Sequence, residues 1–304
     1  MPDVLASLPH PGELAALGTA LCWAATATSF EIAGRRIGSM VVNLLRLLLA
    51  MVFLSAYCAV TRGMALPLDA SGHQWFWLGL SGIVGLTIGD LFLFRAFVII
   101  GARLGILVMS TVPIFATVIS WIFLGEKLAP LDSVGVALTV AGVIWVVLER
   151  QPGDEVATGK QRRLGVLLAL GGALGQAGGL VLSKHGMGDY NPVAATWIRS
   201  LAAIGGLVVL FTALRWWPRF FAAFRDRRGL AFTGMGSFTG PFLGVSLSLA
   251  AVQLTQVGVA STLMALVPIL MLPIAAVRGV ERISLRAVLG TVLAVGGAAL
   301  LFVD

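Results

Sequence analysis

Long apolar stretches, separated by short polar or charged clusters, follow one another along the whole chain. Their spacing predicts ten helices, over residues 14–34, 40–60, 75–98, 104–124, 130–148, 164–185, 192–214, 229–253, 259–277 and 285–303. At ~1.5 Å per residue such helices match the ~30 Å hydrocarbon core of a bilayer. The expected fold is all-α: a polytopic membrane protein of ten transmembrane helices. The longest strongly polar run, "ERQPGDEVATGKQRR" at 149–163, divides the ten into five and five. The expected organisation is therefore a first repeat at 1–148, a linker at 149–163 and a second repeat at 164–304.

The two halves resemble each other residue by residue. At an offset of 153, Ala16, Leu17, Gly18 and Ala20 match Ala169, Leu170, Gly171 and Ala173, and Arg46 matches Arg199. Further on the offset is 155, pairing Gly79, Gly85, Gly89 and Ala96 with Gly234, Gly240, Gly244 and Ala251. The same offset lays "MSTVPIFATVISWIFLGEKL" (109–128) on "MALVPILMLPIAAVRGVERI" (264–283), with Pro113 on Pro268 and Glu126 on Glu281. A copy that begins after five crossings enters from the opposite side, so equivalent helices run in opposite directions. That is an inverted repeat, the geometry of alternating access.

Composition agrees with a lipid environment. Hydrophobic residues make up 58% and charged residues 12%, against about 25% charged in a soluble domain; the mean hydropathy is +0.97. The net charge of +7 sits in short loops between apolar runs, which marks topology determinants and argues against nucleic acid. The two cysteines, Cys22 and Cys58, lie inside apolar runs, and the three histidines are far apart, so neither a metal nor a cofactor is expected. The N-terminus "MPDVLASLPHPGE" has acids but no Lys or Arg, unlike a signal peptide's leader. Sixteen basic residues fall on the side of loops 1–2, 3–4, 5–6, 7–8 and 9–10, and three (Arg62, Lys127 and Lys184) on the other. The positive-inside rule then places both termini outside, and the expected location is the cytoplasmic (inner) membrane. The stretch "RWWPRFFAAFRDRRG" (215–229) reads as an interfacial anchor facing lipid headgroups.

Polar residues inside the spans are the site candidates. Arg46 in "VVNLLRLLL" and Arg199 in "AATWIRSLA" each follow a polar residue three positions earlier, Asn43 and Thr196. An intramembrane arginine is costly, and either binds an anionic group or a gating carboxylate, or snorkels. Asp90 is the most deeply placed acid; it either neutralises Arg46 or titrates and couples protons. Pro113 and Pro268, lacking an N–H, are expected to break their helices near the midplane and free the carbonyls of Met109 and Met264. Trp23, Gln176 and Trp197 are candidate cavity linings. Glu31 and Lys184 are expected to face headgroups, and Glu126 and Glu281 to act as caps or loop anchors. "GGALGQAGG" (171–179) reads as helix packing.

The stretch "LFRAF…GARLGILVMSTVPIFATVISWIFLGEKL", with ten helices and a repeat, resembles the EamA family of the drug/metabolite transporter superfamily. The family's alanine near the end of helix 3, its helix-4 proline and its Gly-Glu-Lys/Arg-Leu motif match Ala96, Pro113 and Gly125-Glu126-Lys127-Leu128. The second copy keeps Ala251, Pro268 and Glu281 but has Val280 and Ile283. The resemblance implies a non-enzymatic secondary transporter with a central cavity, commonly an exporter of amino acids, metabolites or drugs. Its partners would be a small-molecule solute, membrane lipid and a coupling proton or ion, with a monomer or homodimer as the working unit. The small multidrug branch carries a glutamate deep in its first helix, whereas the only acid in 14–34 is Glu31, near the end. The alternative is an integral membrane protein acting on lipid or a lipid-linked substrate, which would need converging His, Asp or Glu at one membrane face.

Overall fold

A computed structural model of the chain describes residues 9–147, 159–277 and 284–303. Most of the polar linker, together with Glu281, Val280 and Ile283, lies outside the described residues. The helices are α1 (Pro11–Ile37), α2 (Ser39–Arg62), α3 (Gly72–Gly82), α4 (Asp90–Met109, broken at Gly101, φ 79°), α5 (Val112–Leu124), α6 (Pro130–Val147) and α7 (Gly159–Met187). The second half continues with α8 (Pro192–Ala213), α9 (Trp217–Ala223), α10 (Arg227–Ser237), α11 (Val245–Leu254), α12 (Val257–Met264), α13 (Val267–Val277) and α14 (Leu285–Leu300). A π-helical segment, Ile83–Gly89, joins α3 to α4, and a second, Phe238–Gly244, joins α10 to α11. There is no strand among the described residues.

Seven of these helical stretches are long and apolar enough to cross a membrane. The other predicted stretches are helical too. α1 is 27 residues long but carries four charged side chains, and Val257–Leu272 and Leu285–Leu300 are shorter apolar helices. Local sequence chemistry explains several ends. Ser71 and Gln74 form a capping box at α3, with each side chain accepting from the other's backbone N–H. The Asn191 side chain accepts from Val193 and Ala194 at α8, where Pro192 supplies a first residue that needs no N–H. Gly63 and Gly125 close α2 and α5 in the left-handed region, at φ 70° in both cases.

The expected proline kinks take another form. Ser110 and Thr111 interrupt the fourth predicted helix, and Ala265 and Leu266, 155 residues later, interrupt the ninth. Pro113 and Pro268 are the second residues of the helices that restart, α5 and α13. A first turn has no intrahelical partner for its N–H groups, so proline costs nothing there. Ser110, Thr111 and Ala265 keep right-handed helical dihedrals, so the α-helical hydrogen-bond ladder is broken for two residues within one helical path.

The packing exchanges elements between halves. The α3–π–α4 stretch lies along α7, and the α10–π–α11 stretch lies along α1. In addition α2 packs on α8, α5 on α12 and α6 on α14. The third stretch of each half thus lies on the first helix of the other, and a two-repeat layout fits. Small residues make the closest crossings: a β-carbon at Gly175 would sit 2.8 Å from the Gly89 Cα, and one at Gly142 would sit 2.4 Å from the Ala294 nitrogen. Large apolar side chains such as Val52, Ile122, Phe123, Leu167 and Val292 are exposed on the outer faces. That is costly in water and favourable in lipid.

Candidate functional site

Four of the predicted residues converge beside the first π-helical segment. α2 presents Arg46, α4 begins with Asp90, α7 presents Gln176 and α8 presents Arg199. Arg46 Nη2 donates to Asp90 Oδ2 in an ion pair. Gln176 Nε2 donates to the other carboxylate oxygen at 2.8 Å and reaches the Gly85 carbonyl at 3.4 Å. The Arg46 guanidinium also lies 5.6 Å from the centroid of the Phe30 ring, a cation–π contact. Arg199 Nη2 lies 3.5 Å from where a Gly85 β-carbon would be, which places its guanidinium beside the segment that leads into Asp90.

The π-helical segment explains how Asp90 reaches this place. An inserted residue turns everything after it by about 100° relative to a regular α-helix. The Thr87 hydroxyl donates to the Ala203 carbonyl at 3.2 Å and pins the segment to α8. The stretch "IVGLTIG" lets α7 and α8 approach: a β-carbon at Gly179 would lie 3.0 Å from the Gly85 Cα. Of the two fates expected for Asp90, the geometry displays the ion pair with Arg46.

Charge is unbalanced in this cluster. Arg199 is 3% exposed and Asp90 5%, and Asp90 is the only acid among the buried described residues. Arg199 Nε and Nη1 have no hydrogen-bond partner, and neither does Arg46 Nε. Two guanidiniums therefore stand in this cluster against one carboxylate, and only Arg46 is paired with it. Burying an ion costs several kcal/mol even after relaxation, so a surplus positive charge is expensive to keep.

The remaining candidates lie elsewhere. Asn43 is fully buried, with neither carboxamide atom partnered. The Thr196 hydroxyl donates back to the Pro192 carbonyl at 2.8 Å and is satisfied within its own helix. Trp197 Nε1 donates to Ser55 Oγ at 2.8 Å, and its ring meets Trp75 edge-on at 6.3 Å, so it packs α8 against α2 and α3. The Trp23 indole lies against Gly244 in the second π-helical segment. Met109, Pro113, Met264 and Pro268 stand at the two helix restarts.

A second cluster was not anticipated. Lys184 Nζ lies 2.6 Å from Glu126 Oε1 and donates to the Thr255 carbonyl at 2.7 Å. Glu126 Oε2 accepts from the Val257 N–H at 2.9 Å, and Thr255 Oγ1 donates to Glu13. Four elements are latched at one end of the bundle: the start of α1, the chain after α5, α7, and the α11–α12 junction. Lys184 therefore does not face headgroups, and Glu126 caps α12 as well as anchoring a loop. Glu31, the repeat counterpart of Lys184, pairs with exposed Arg35 one turn on, at 2.8 Å. The signal available in sequence was the paired Glu126 and Lys184 at helix ends of different halves, but no spacing rule joins them.

Further loop contacts surround this end. Asp69 accepts from the Tyr190 hydroxyl at 2.9 Å and pairs with Arg62, whose guanidinium sits 5.2 Å from the Tyr190 ring. Burial would raise the Asp69 carboxyl, but the Tyr190 hydroxyl and the Arg62 charge outweigh it and hold the group below its usual range. At the other end, Arg36 pairs with Asp226 at 2.8 Å. In the predicted anchor, the Phe220 ring of α9 packs on Phe211, 6.3 Å between centroids.

The profile of the EamA-like transporter family matches residues 10–148 and 163–303. No curated protein matches the chain significantly. A solved structure titled "Crystal structure of protein" is similar in fold, with a TM-score of 0.75 at 18% identity, covering 95% of this chain and 94% of that one.

Proposed function

The chain belongs to the EamA-like transporter family and is a multi-pass membrane protein, and from that premise we propose that it is a secondary transporter. It moves a small organic solute by alternating access between two inverted five-helix repeats, 1–148 and 164–304, in the direction of export. Ten helical stretches serve as crossings, and the sixteen-to-three distribution of basic residues places the termini outside. The observation that carries this reading is the Arg46–Asp90–Gln176–Arg199 cluster, with Asp90 and Arg199 buried, to which both repeats contribute. A chain with no transport task gains nothing from holding three ionised groups in its core. The matching helix interruptions at 110–111 and 265–266, and the matching π-helical segments, supply equivalent breaks in both repeats at which each can change shape.

Flux of amino acids, organic acids and cationic drugs into proteoliposomes, with and without a pH gradient, tests the proposal. Flux that Arg46→Ala and Arg199→Ala both abolish, with insertion intact, is expected. No flux for any solute tested would sink it and favour action on lipid. Any dependence on the pH gradient should vanish in Asp90→Asn if this carboxylate couples protons; persistence assigns coupling elsewhere.

A further inference from the structure

We infer that the transported solute is a small monocarboxylate and that Arg199 is its binding residue; this names the substrate class of the transport reading and rests on it. Arg199 is 3% exposed, with Nε and Nη1 unpartnered, beside the close-packed Gly85 of the first π-helical segment. Asp90, the only buried acid among the described residues, already receives Arg46 on one oxygen and Gln176 on the other. Repeat symmetry offers Arg199 no acid of its own, because the counterpart of Asp90 is Val245. Ser200, next to Arg199, and Ser246, next to Val245, are also buried with unpartnered hydroxyls. The cluster thus holds one positive charge in excess. A single carboxylate neutralises it, whereas a zwitterion leaves it in place and a cation doubles it. Guanidinium donors suit the flat carboxylate group.

A matched series on one carbon skeleton tests the class: 4-methyl-2-oxopentanoate as the anion, leucine as the zwitterion and 3-methylbutylamine as the cation. Acetate and benzoate extend the anion set. Thermal unfolding of the purified full chain in neutral detergent should shift upward by several degrees with at least one carboxylate and not with leucine or the amine. Arg199→Gln should weaken that binding at least tenfold, Arg199→Lys should keep part of it, and unliganded Arg199→Gln should melt no lower than the parent. Equal shifts in parent and Arg199→Gln, no shift from any carboxylate, or equal stabilisation by the amine would overturn the inference. So would an Arg199-dependent shift from phosphatidylglycerol micelles alone, which would assign the anion to lipid. Should Arg199→Gln fail to fold, Arg199→Lys and competition of the carboxylates against solute flux decide instead. Flux without any carboxylate effect overturns the anion site and leaves the transport reading standing. An Arg199-dependent carboxylate shift without flux does the reverse.

Discussion

Ile83–Gly89 and Phe238–Gly244 are π-helical segments of seven residues each, separated by 155 positions, and each lies along the first helix of the opposite half. Asp90 follows the first and Val245 the second. Gln176 faces the first from α7; its repeat counterpart, Trp23, lies against the second from α1. The backbone irregularity is therefore kept in both halves, while the ionic chemistry is present once. The difference teaches that the two features serve separate ends. A π-turn and a restarted helix allow close packing and movement, which the proposed alternating-access mechanism would need in both halves. On the proposed reading, a charged site is needed only where the solute binds, so one half can carry it alone.

The sharpest way to break this comparison is to remove the charge partner on the charged side. Arg46→Ala leaves Asp90 buried without its guanidinium, and a loss of ~3–5 kcal/mol is expected, read by thermal unfolding in detergent. Removing both partners, as Arg46→Ala with Asp90→Val (valine being what the second half carries at 245), should recover most of that stability without recovering flux. A double variant as unstable as the single one would mean that Asp90 is not the source of the cost.

The converse change gives the second half an acid. In Val245→Asp the new carboxylate stands to Arg199 as Asp90 stands to Arg46, so Arg199 becomes internally paired. Solute flux is expected to fall at least tenfold, equivalent to ~1.4 kcal/mol. Unchanged flux would show that the surplus charge is not what the solute meets.

The two ends of the bundle extend the same contrast at smaller scale. Lys184 and Glu126 are partly buried, with side chains 25% and 14% exposed, whereas Arg35 and Glu31 are 80% and 48% exposed. Lys184→Ala should cost ~1.5–3 kcal/mol, because it strips charge-assisted hydrogen bonds from Glu126 and the Thr255 carbonyl. Glu31→Ala should stay within ~0.5 kcal/mol, since solvent screens an exposed pair. Similar losses in the two variants would remove the distinction between a latch and a surface pair. The smallest effect is expected at Asp69. Its folded carboxyl is held below the ordinary value, so its contribution is complete above about pH 3.9 and is lost as the pH falls through the lower folded value. With the side chain 37% exposed, screening limits that contribution to at most ~1 kcal/mol. Unfolding of Asp69→Asn and the parent should differ near neutral pH and converge in acid.

Much of the fold was legible because lipid imposes one requirement on every crossing: apolar side chains over a fixed length. The predicted stretches fall on helices to within a few residues at α2, α6 and α8. The repeat was equally visible, since Arg46 and Arg199, or Pro113 and Pro268, are distinctive enough to align. The π-helical segments were not legible. One extra residue in a turn leaves no mark in an apolar run, and only Pro241 within the second hints at a break. The site was legible in part: Arg46, Asp90, Gln176 and Arg199 stand out as polar residues in apolar spans, but so do Thr196, which is satisfied within its own helix, and Trp197, which donates to Ser55 on another.

By itself, then, the sequence determined that the chain is helical, membrane-spanning and doubled, because hydropathy and internal repetition are properties of order along the chain. Only the tertiary structure decided which charges meet. Arg46 and Asp90 are 44 residues apart, Gln176 and Asp90 86, and Glu126 and Lys184 lie in different repeats. Such contacts depend on which helices exchange between halves and on the turn that a π-helical segment adds. For the same reason the surplus charge on Arg199 appears only when the fold shows that the one buried carboxylate within reach is already held by others.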